Sequence, residues 1–315
     1  MRTRPALALV AAVGLSLAAC SGGGTTADPT APDASGTDQD TAAPTDIPAF
    51  DPSTVEADPD VVALVPAAVA EDGKLTNGVS ANYPPAEFFD PKDGTTFTGW
   101  DLQLGAAMAA KMGLEFVNEH AEFASIIPGI GTKYEVGISS FSLTAERLNA
   151  VNFTTYIEAG SLWAVAKGNP SGFDPDNVCG AIVGVQTGTI QHDAAQDLKA
   201  DCEADGATLT IEPYPSQQDV TTNLVGGKLD AMFADSPVVR AAEAKTNDAI
   251  ETIGDLRMAS LVGAVTAKDQ LDLAEAIRAA YQSLIDDGTY AQILNAWDVT
   301  DGHVEKALVN PTPES

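Results

Sequence analysis

Apolar and polar positions change period several times along this chain, and the changes lay out alternating strands and helices. Leu75 to Val79 reads as a strand, ended by the turn Ala81-Asn82-Tyr83-Pro84-Pro85. Asp101 stands where it would cap a helix running to Met112, with Leu104, Met108 and Met112 on one face. Val136 and Ile138 start a strand that runs into hydroxyl residues. Ser161 to Ala166 and Ala181 to Val185 read as strands, the second followed by a Gly-Thr turn and a helix. Lys228 to Phe233 is a further strand, with a turn at Asp235-Ser236-Pro237. Leu273, Ile277, Ala280 and Leu284 mark a helix stopped at Asp287-Gly288, and a last helix spans about Tyr290 to Trp297. The alternation points to the α/β class, with no internal sequence repeat.

The N-terminal pattern is different. Arg2 and Arg4 precede an apolar run from Pro5 to Ala19, and Cys20 follows. Charge, a short apolar stretch and small residues mark a secretory signal peptide over residues 1–19, too short to span a bilayer comfortably. Leu17-Ala18-Ala19-Cys20 resembles the bacterial lipoprotein box, which implies a lipidated Cys20 and anchoring to the outer face of the cell membrane. Residues 21–49 carry five Asp, no Lys or Arg, and Ile47 as their one large aliphatic residue, so they cannot bury enough surface to fold. A tether over residues 20–55 is expected; a coil of about 30 residues reaches ~30 Å. A cleavable or merely spacing segment is the other reading.

Composition narrows the function. The net charge is −29, which argues against a nucleic-acid partner and against an anionic-membrane surface patch. Solubility accounts for such acidity, and so does a salty habitat. Beyond Cys20, Cys179 and Cys202 form an even pair in an exported chain, so a disulfide is expected. His120, His192 and His303 lie far apart and no Cys-x-x-Cys occurs, so neither a metal site nor a cofactor is expected. Gly129-Ile130-Gly131 lacks its third glycine at Tyr134, and the nucleophile elbow fails at Phe141 after Gly137-Ile138-Ser139-Ser140.

The chemistry concentrates at residues 137–156. Ser139, Ser140, Ser142 and Thr144 crowd a strand end, and Arg147 follows within one helical turn. An Arg fork takes a carboxylate in bidentate fashion, turn N–H groups add donors, and hydroxyls and carbonyls accept from an ammonium. That combination suits a free α-amino acid. Arg147 is also the one cation between Lys133 and Lys167. A surface Arg paired with Glu146 remains the competing reading.

This Ser-Ser-x-Ser-x-Thr-x-x-Arg run resembles the polar amino-acid branch of bacterial solute-binding proteins that feed ABC importers, over roughly residues 56–300. The resemblance implies a two-lobed periplasmic-binding-protein-like α/β fold (type II), with two hinge strands and a ligand cleft between the lobes. Lobe one would take residues 56–158 and 263–305, lobe two residues 159–262, and residues 306–315 would form a C-terminal tail. It implies that Arg147, Ser140 and Ser142 hold the ligand backbone. Tyr83 and Phe123 would sandwich its side chain, Asp235 would meet the ammonium, and the turn at Gly188, Thr189 and Ile190 would donate to the carboxylate. The family often has Phe where Ala86 stands and Asp where Ala124 stands, departures that would reshape this wall. Family members that bind basic amino acids tend to carry Asp where this chain has Ser80, so a polar, non-basic ligand is expected.

The expectation is a binding protein, not an enzyme: a monomer that closes on a free amino acid and delivers it to a permease with ATPase subunits. Two rivals stand beside it. Dehydratases of shikimate-pathway acids share the resembled fold and need a general acid, for which Glu87 and Asp235 are the candidates. A receptor presenting its ligand to a membrane sensor is the other.

Overall fold

The computed structural model describes residues 47–313. The expected signal peptide, Cys20 and residues 21–46 of the tether lie outside them. The strands are β1 (Lys74–Val79), β2 (Asn82–Tyr83), β3 (Glu87–Phe89), β4 (Phe97–Thr98), β5 (Glu115–His120), β6 (Val136–Ser142), β7 (Val151–Ala166), β8 (Ile182–Gln186), β9 (Thr210–Tyr214), β10 (Ala231–Asp235), β11 (Ile250–Ala267) and β12 (His303–Val309).

One sheet runs β5-β1-β6-β11-β7-β10-β8-β9, with β12 added on β7; β2, β3 and β4 make a small separate sheet. The outer strands are parallel, β1 to β5 and β6 on one side, β8 to β9 and β10 on the other. The two long central strands, β7 and β11, run antiparallel. β11 meets β6 through Val262–Thr266, whereas β7 meets β10 through Ser161–Val165. Two continuous strands therefore serve both halves of the sheet. Their mutual register is broken between Ile253 and Gly263, at the crossing point.

Helices cover each half. Trp100–Lys111 and Leu271–Asp287 pack on each other; the first also lies on β5 and β6, the second on β7 and β11. Leu273, Ile277, Ala280 and Leu284 are fully buried at helical spacing, and the helix stops at Gly288, which takes the left-handed φ of 85° that glycine adopts freely. On the other half, Ile190–Ala204, Gln217–Val225 and Ser236–Lys245 lie against β8 and β10. Cys179 and Cys202 are joined, with Cα atoms 5.6 Å apart, tying the approach to β8 to the helix Ile190–Ala204.

Three expectations change. Residues 48–55, read as part of the tether, lie on the fold: Gln103 Nε2 donates to the Pro48 carbonyl at 2.8 Å, Pro52–Thr54 make a 3-10 turn, and Phe50 and Val55 pack against the core. Gly99, not Asp101, precedes the helix at Trp100; Asp101 lies in its first turn, fully buried, and turns inward to accept hydrogen bonds from distant groups. Residues 306–309, read as tail, continue β12 along β7, and Asn310 extends the contact through its N–H to the Phe153 carbonyl, at 2.9 Å.

Candidate binding site

The ends of β1, β6, β8 and β10 and the β2–β3 hairpin converge on a narrow cavity, with about 10 Å³ of free room, enough for about one water. Ser80, Tyr83, Phe123, Ser140, Ser142, Arg147, Thr189, Ile190 and Asp235 line it, as do Glu87, Ser139, Gln186 and Gln191. Strand carboxyl ends at the meeting of two sheet halves are a common ligand position in α/β proteins.

Arg147 sits in the first turn of the helix Ala145–Ala150, capped by Thr144, whose hydroxyl oxygen accepts the Arg147 N–H. Its guanidinium lies 5.6 Å from the Phe123 ring centre and 5.7 Å from that of Phe141, two rings stacked at 4.8 Å. Nη1 donates to the Ser142 carbonyl at 2.8 Å and Nη2 to the Gly188 carbonyl at 3.0 Å. Arg147 has no carboxylate within ion-pair distance among the described residues; the competing surface pair with Glu146 does not form. Burial pushes its proton affinity down, partly offset by Asp193 and Asp235.

Asp235 ends β10 where the helix Ser236–Lys245 begins, but its side chain makes no capping bond. Instead Oδ2 accepts from the Tyr83 hydroxyl at 2.9 Å and Oδ1 from Gln191 Nε2 at 2.6 Å. Burial raises its pKa to about 6, against these hydrogen bonds and the Arg147 charge. Gln191 also donates to Ser161 on β7, at 2.7 Å, which fixes the amide.

The Gly188 turn differs from its expected role. A φ of +81° and an ideal Cβ position 2.9 Å from Ala124 restrict this site to glycine. Its carbonyl accepts from Arg147, and its N–H faces His192 Nδ1 at 3.4 Å. The Thr189 hydroxyl is spent on capping, accepting from the His192 N–H and donating to the Gln186 carbonyl. The N–H groups at Ile190 and Gln191 open the helix, where anions are favoured. Ala124 packs against Gly188 and Ala86 is fully buried, so neither shapes the cavity wall.

Glu87 is the largest departure from the sequence reading. The register of β2 and β3 sets Tyr83 opposite Glu87, so both point into the cavity from one hairpin. Glu87 is 1% exposed. Oε1 accepts from the Ser139 hydroxyl at 3.0 Å and Oε2 from the Ser140 hydroxyl at 3.1 Å. Among the described residues no cation pairs with it. Burial first, and then the Asp101 charge, hold its proton affinity well above the usual carboxylate range. The non-basic expectation rested on Ser80 alone. Ser80 does line the cavity, its hydroxyl facing Asn82 Oδ1, and Glu87 brings a carboxylate to the same cavity.

The cavity thus carries a guanidinium and helix-start N–H groups at one end. Carboxylates stand at two further points and aromatic rings on the walls. Known proteins resemble this chain along most of its length. The profile of bacterial extracellular solute-binding proteins, family 3, matches residues 75–300. An arginine-binding protein, ArgT, of Corynebacterium glutamicum is 37% identical over 81% of this chain and 84% of its own length. An ancestral arginine-binding protein bound to arginine superposes with a TM-score of 0.66 at 28% identity, over 71% of this chain and 98% of that one. An ancestral amino acid-binding protein, described as a precursor of cyclohexadienyl dehydratase, gives 0.65 at 26% identity, over 73% and 97%. These likenesses establish the two-lobed periplasmic binding fold, and the chain belongs to the bacterial extracellular solute-binding proteins of family 3.

Proposed function

We propose that this protein is the binding component of an ABC importer and captures a free α-amino acid with a cationic side chain, arginine before others. The observation that carries the reading is Glu87: a buried carboxylate in the cavity, held by two serine hydroxyls and facing no protein cation. Ionised, such a group needs a counter-charge, and a guanidinium would supply one with fork geometry. The names of the relatives in the family point the same way.

The α-carboxylate would bind Arg147 and the N–H groups at Ile190 and Gln191. The α-ammonium would bind Asp235. Tyr83 and Phe123 would flank the aliphatic stem, and the guanidinium would meet Glu87. Residues 56–158 with 263–305 form one lobe in this reading and residues 159–262 the other; closure over the ligand dries the site and strengthens each charge pair. The closed protein then docks on a permease whose ATPases drive release, held near the membrane by a lipid on Cys20.

A thermal-shift panel of the common amino acids tests this. Arginine is expected to give the largest rise in melting temperature, lysine or ornithine a smaller one, and glutamate none. The largest rise from a neutral or acidic amino acid would remove the cationic-ligand reading. A second reading is favoured by one observation: burial, and then the Asp101 charge, raise the proton affinity of Glu87 inside the cavity, as a dehydratase general acid requires. Turnover of prephenate or arogenate would establish it, and none is expected.

A further inference from the structure

Asp101 lies behind the cavity, outside its lining, and is fully buried. Oδ1 accepts from the Tyr156 hydroxyl on β7, and Oδ2 accepts the Ser140 N–H at 2.9 Å. Ser140 has a φ of 53°, left-handed for a residue with a side chain. Its backbone is held by Asp101 while its hydroxyl donates to Glu87 at 3.1 Å. Two buried carboxylates therefore accept from one serine, Asp101 from its N–H and Glu87 from its hydroxyl. Neither pairs with a cation among the described residues.

Resting on the cationic-ligand reading above, we propose that Asp101 is a positioning residue. It pins the strained Ser140 backbone and shares one buried proton with Glu87, which is expelled when a cationic side chain enters. Two carboxylates this close cannot both be charged at low cost, so the pair titrates as a unit. Burial raises Asp101 to about 6, against its bonds from Tyr156 and Ser140; burial first, and then the Asp101 charge, favour the proton on Glu87. The other titratable groups facing the pair are Tyr156 from β7, Tyr281 from the helix Leu271–Asp287, Tyr83 from β2 and Asp235 from β10. The tyrosines all hold their protons more tightly than usual, and the proton in question stays on the carboxylates. A guanidinium beside Glu87 favours the ionised form, and the proton leaves to solvent.

The test is titration calorimetry at pH 7.5 in buffers of different ionisation enthalpy, with arginine and with glutamine. The difference between the two ligands cancels protons released by Asp235 as it meets the common ammonium. Wild-type protein is expected to release more protons with arginine than with glutamine, the excess being at most about one. Asp101→Asn keeps an acceptor for Ser140 and removes the charge, and its difference should be smaller than that of wild type. Equal release in wild type and Asp101→Asn overturns the proposal, as does no difference between the ligands in wild type. Tyr156→Phe serves where Asp101→Asn does not fold. It weakens the ionised form of Asp101, so release should match or exceed wild type, and a fall contradicts the proposal. Wild-type protein that binds glutamine but not arginine overturns the cationic-ligand reading and this one with it; arginine binding without extra proton release overturns this one alone.

Discussion

Glu87→Gln isolates the charge that sets ligand class in this account. The amide retains an oxygen for one serine and a donor for the other, so the contacts of Ser139 and Ser140 survive. What is lost is a unit charge against the ligand guanidinium. At ~4 Å and an effective dielectric of ~20 that attraction is about 4 kcal/mol. Ionising Glu87 offsets part of it, because burial and Asp101 favour the protonated form. The net loss should sit at the low end for breaking a buried, hydrogen-bonded charge pair, about 2 kcal/mol. That is roughly a 30-fold weaker Kd for arginine. Glutamine, whose side chain brings no charge, should bind the variant as well as it binds wild type, or better. Calorimetric titration of both ligands against both proteins gives the four constants. Unchanged arginine affinity in Glu87→Gln would refute the reasoning. So would an equal loss for glutamine, since a structural defect and not a charge would then be responsible.

Three further outcomes follow from other parts of the site and fold. Arg147→Ala should weaken arginine and glutamine alike, by about 2–5 kcal/mol, because both present the same α-carboxylate; loss for one ligand only would move Arg147 away from the common group. Asp101 and Asp235 titrate near 6 in the folded protein and near 4 when unfolded, so the native state binds more protons between those values. Stability without ligand should therefore fall as pH rises from about 4 through 6, and calorimetric scans should give a higher melting temperature at pH 5 than at pH 8; the reverse order would contradict the assigned burial. Replacing Cys179 and Cys202 with Ser should cost about 3 kcal/mol on the chain-entropy model. That is roughly 6–12 °C in melting temperature for a domain of this size, and an unchanged melting point would show the cross-link to be redundant.

The parts of the site legible in the sequence are those whose residues are close in the chain. Ser139 to Arg147 forms one strand end and one helical turn, so local spacing was enough to assemble it. Asp235 and the Gly188 turn entered through the family resemblance, each between a strand and a helix, and the Gly188 carbonyl's bond from Arg147 was not foreseen. Glu87 was read only as an acid for a rival chemistry. Its direction depends on the β2–β3 register across Pro84-Pro85, and its partners are more than fifty residues away. The Tyr83-to-Glu87 spacing around a Pro-Pro turn was the one local signal for it. Asp101 carried a plausible local role as a helix cap, and only the approach of β6 and β7 shows what it holds. Gln186 and Gln191 gave no signal, since a glutamine near a helix start is ordinary. The lengths of β7 and β11 were hidden as well: Glu158-Ala159-Gly160 breaks the apolar run of one, and polar residues from Glu251 to Arg257 break the other.

The most direct test of the central claim is a crystal structure of the folded domain grown with arginine. The account requires the ligand carboxylate against Arg147, its ammonium against Asp235 and its guanidinium within hydrogen-bond reach of Glu87. A ligand bound with its guanidinium directed away from Glu87, or a cavity that takes up no arginine at saturating concentration, would contradict it.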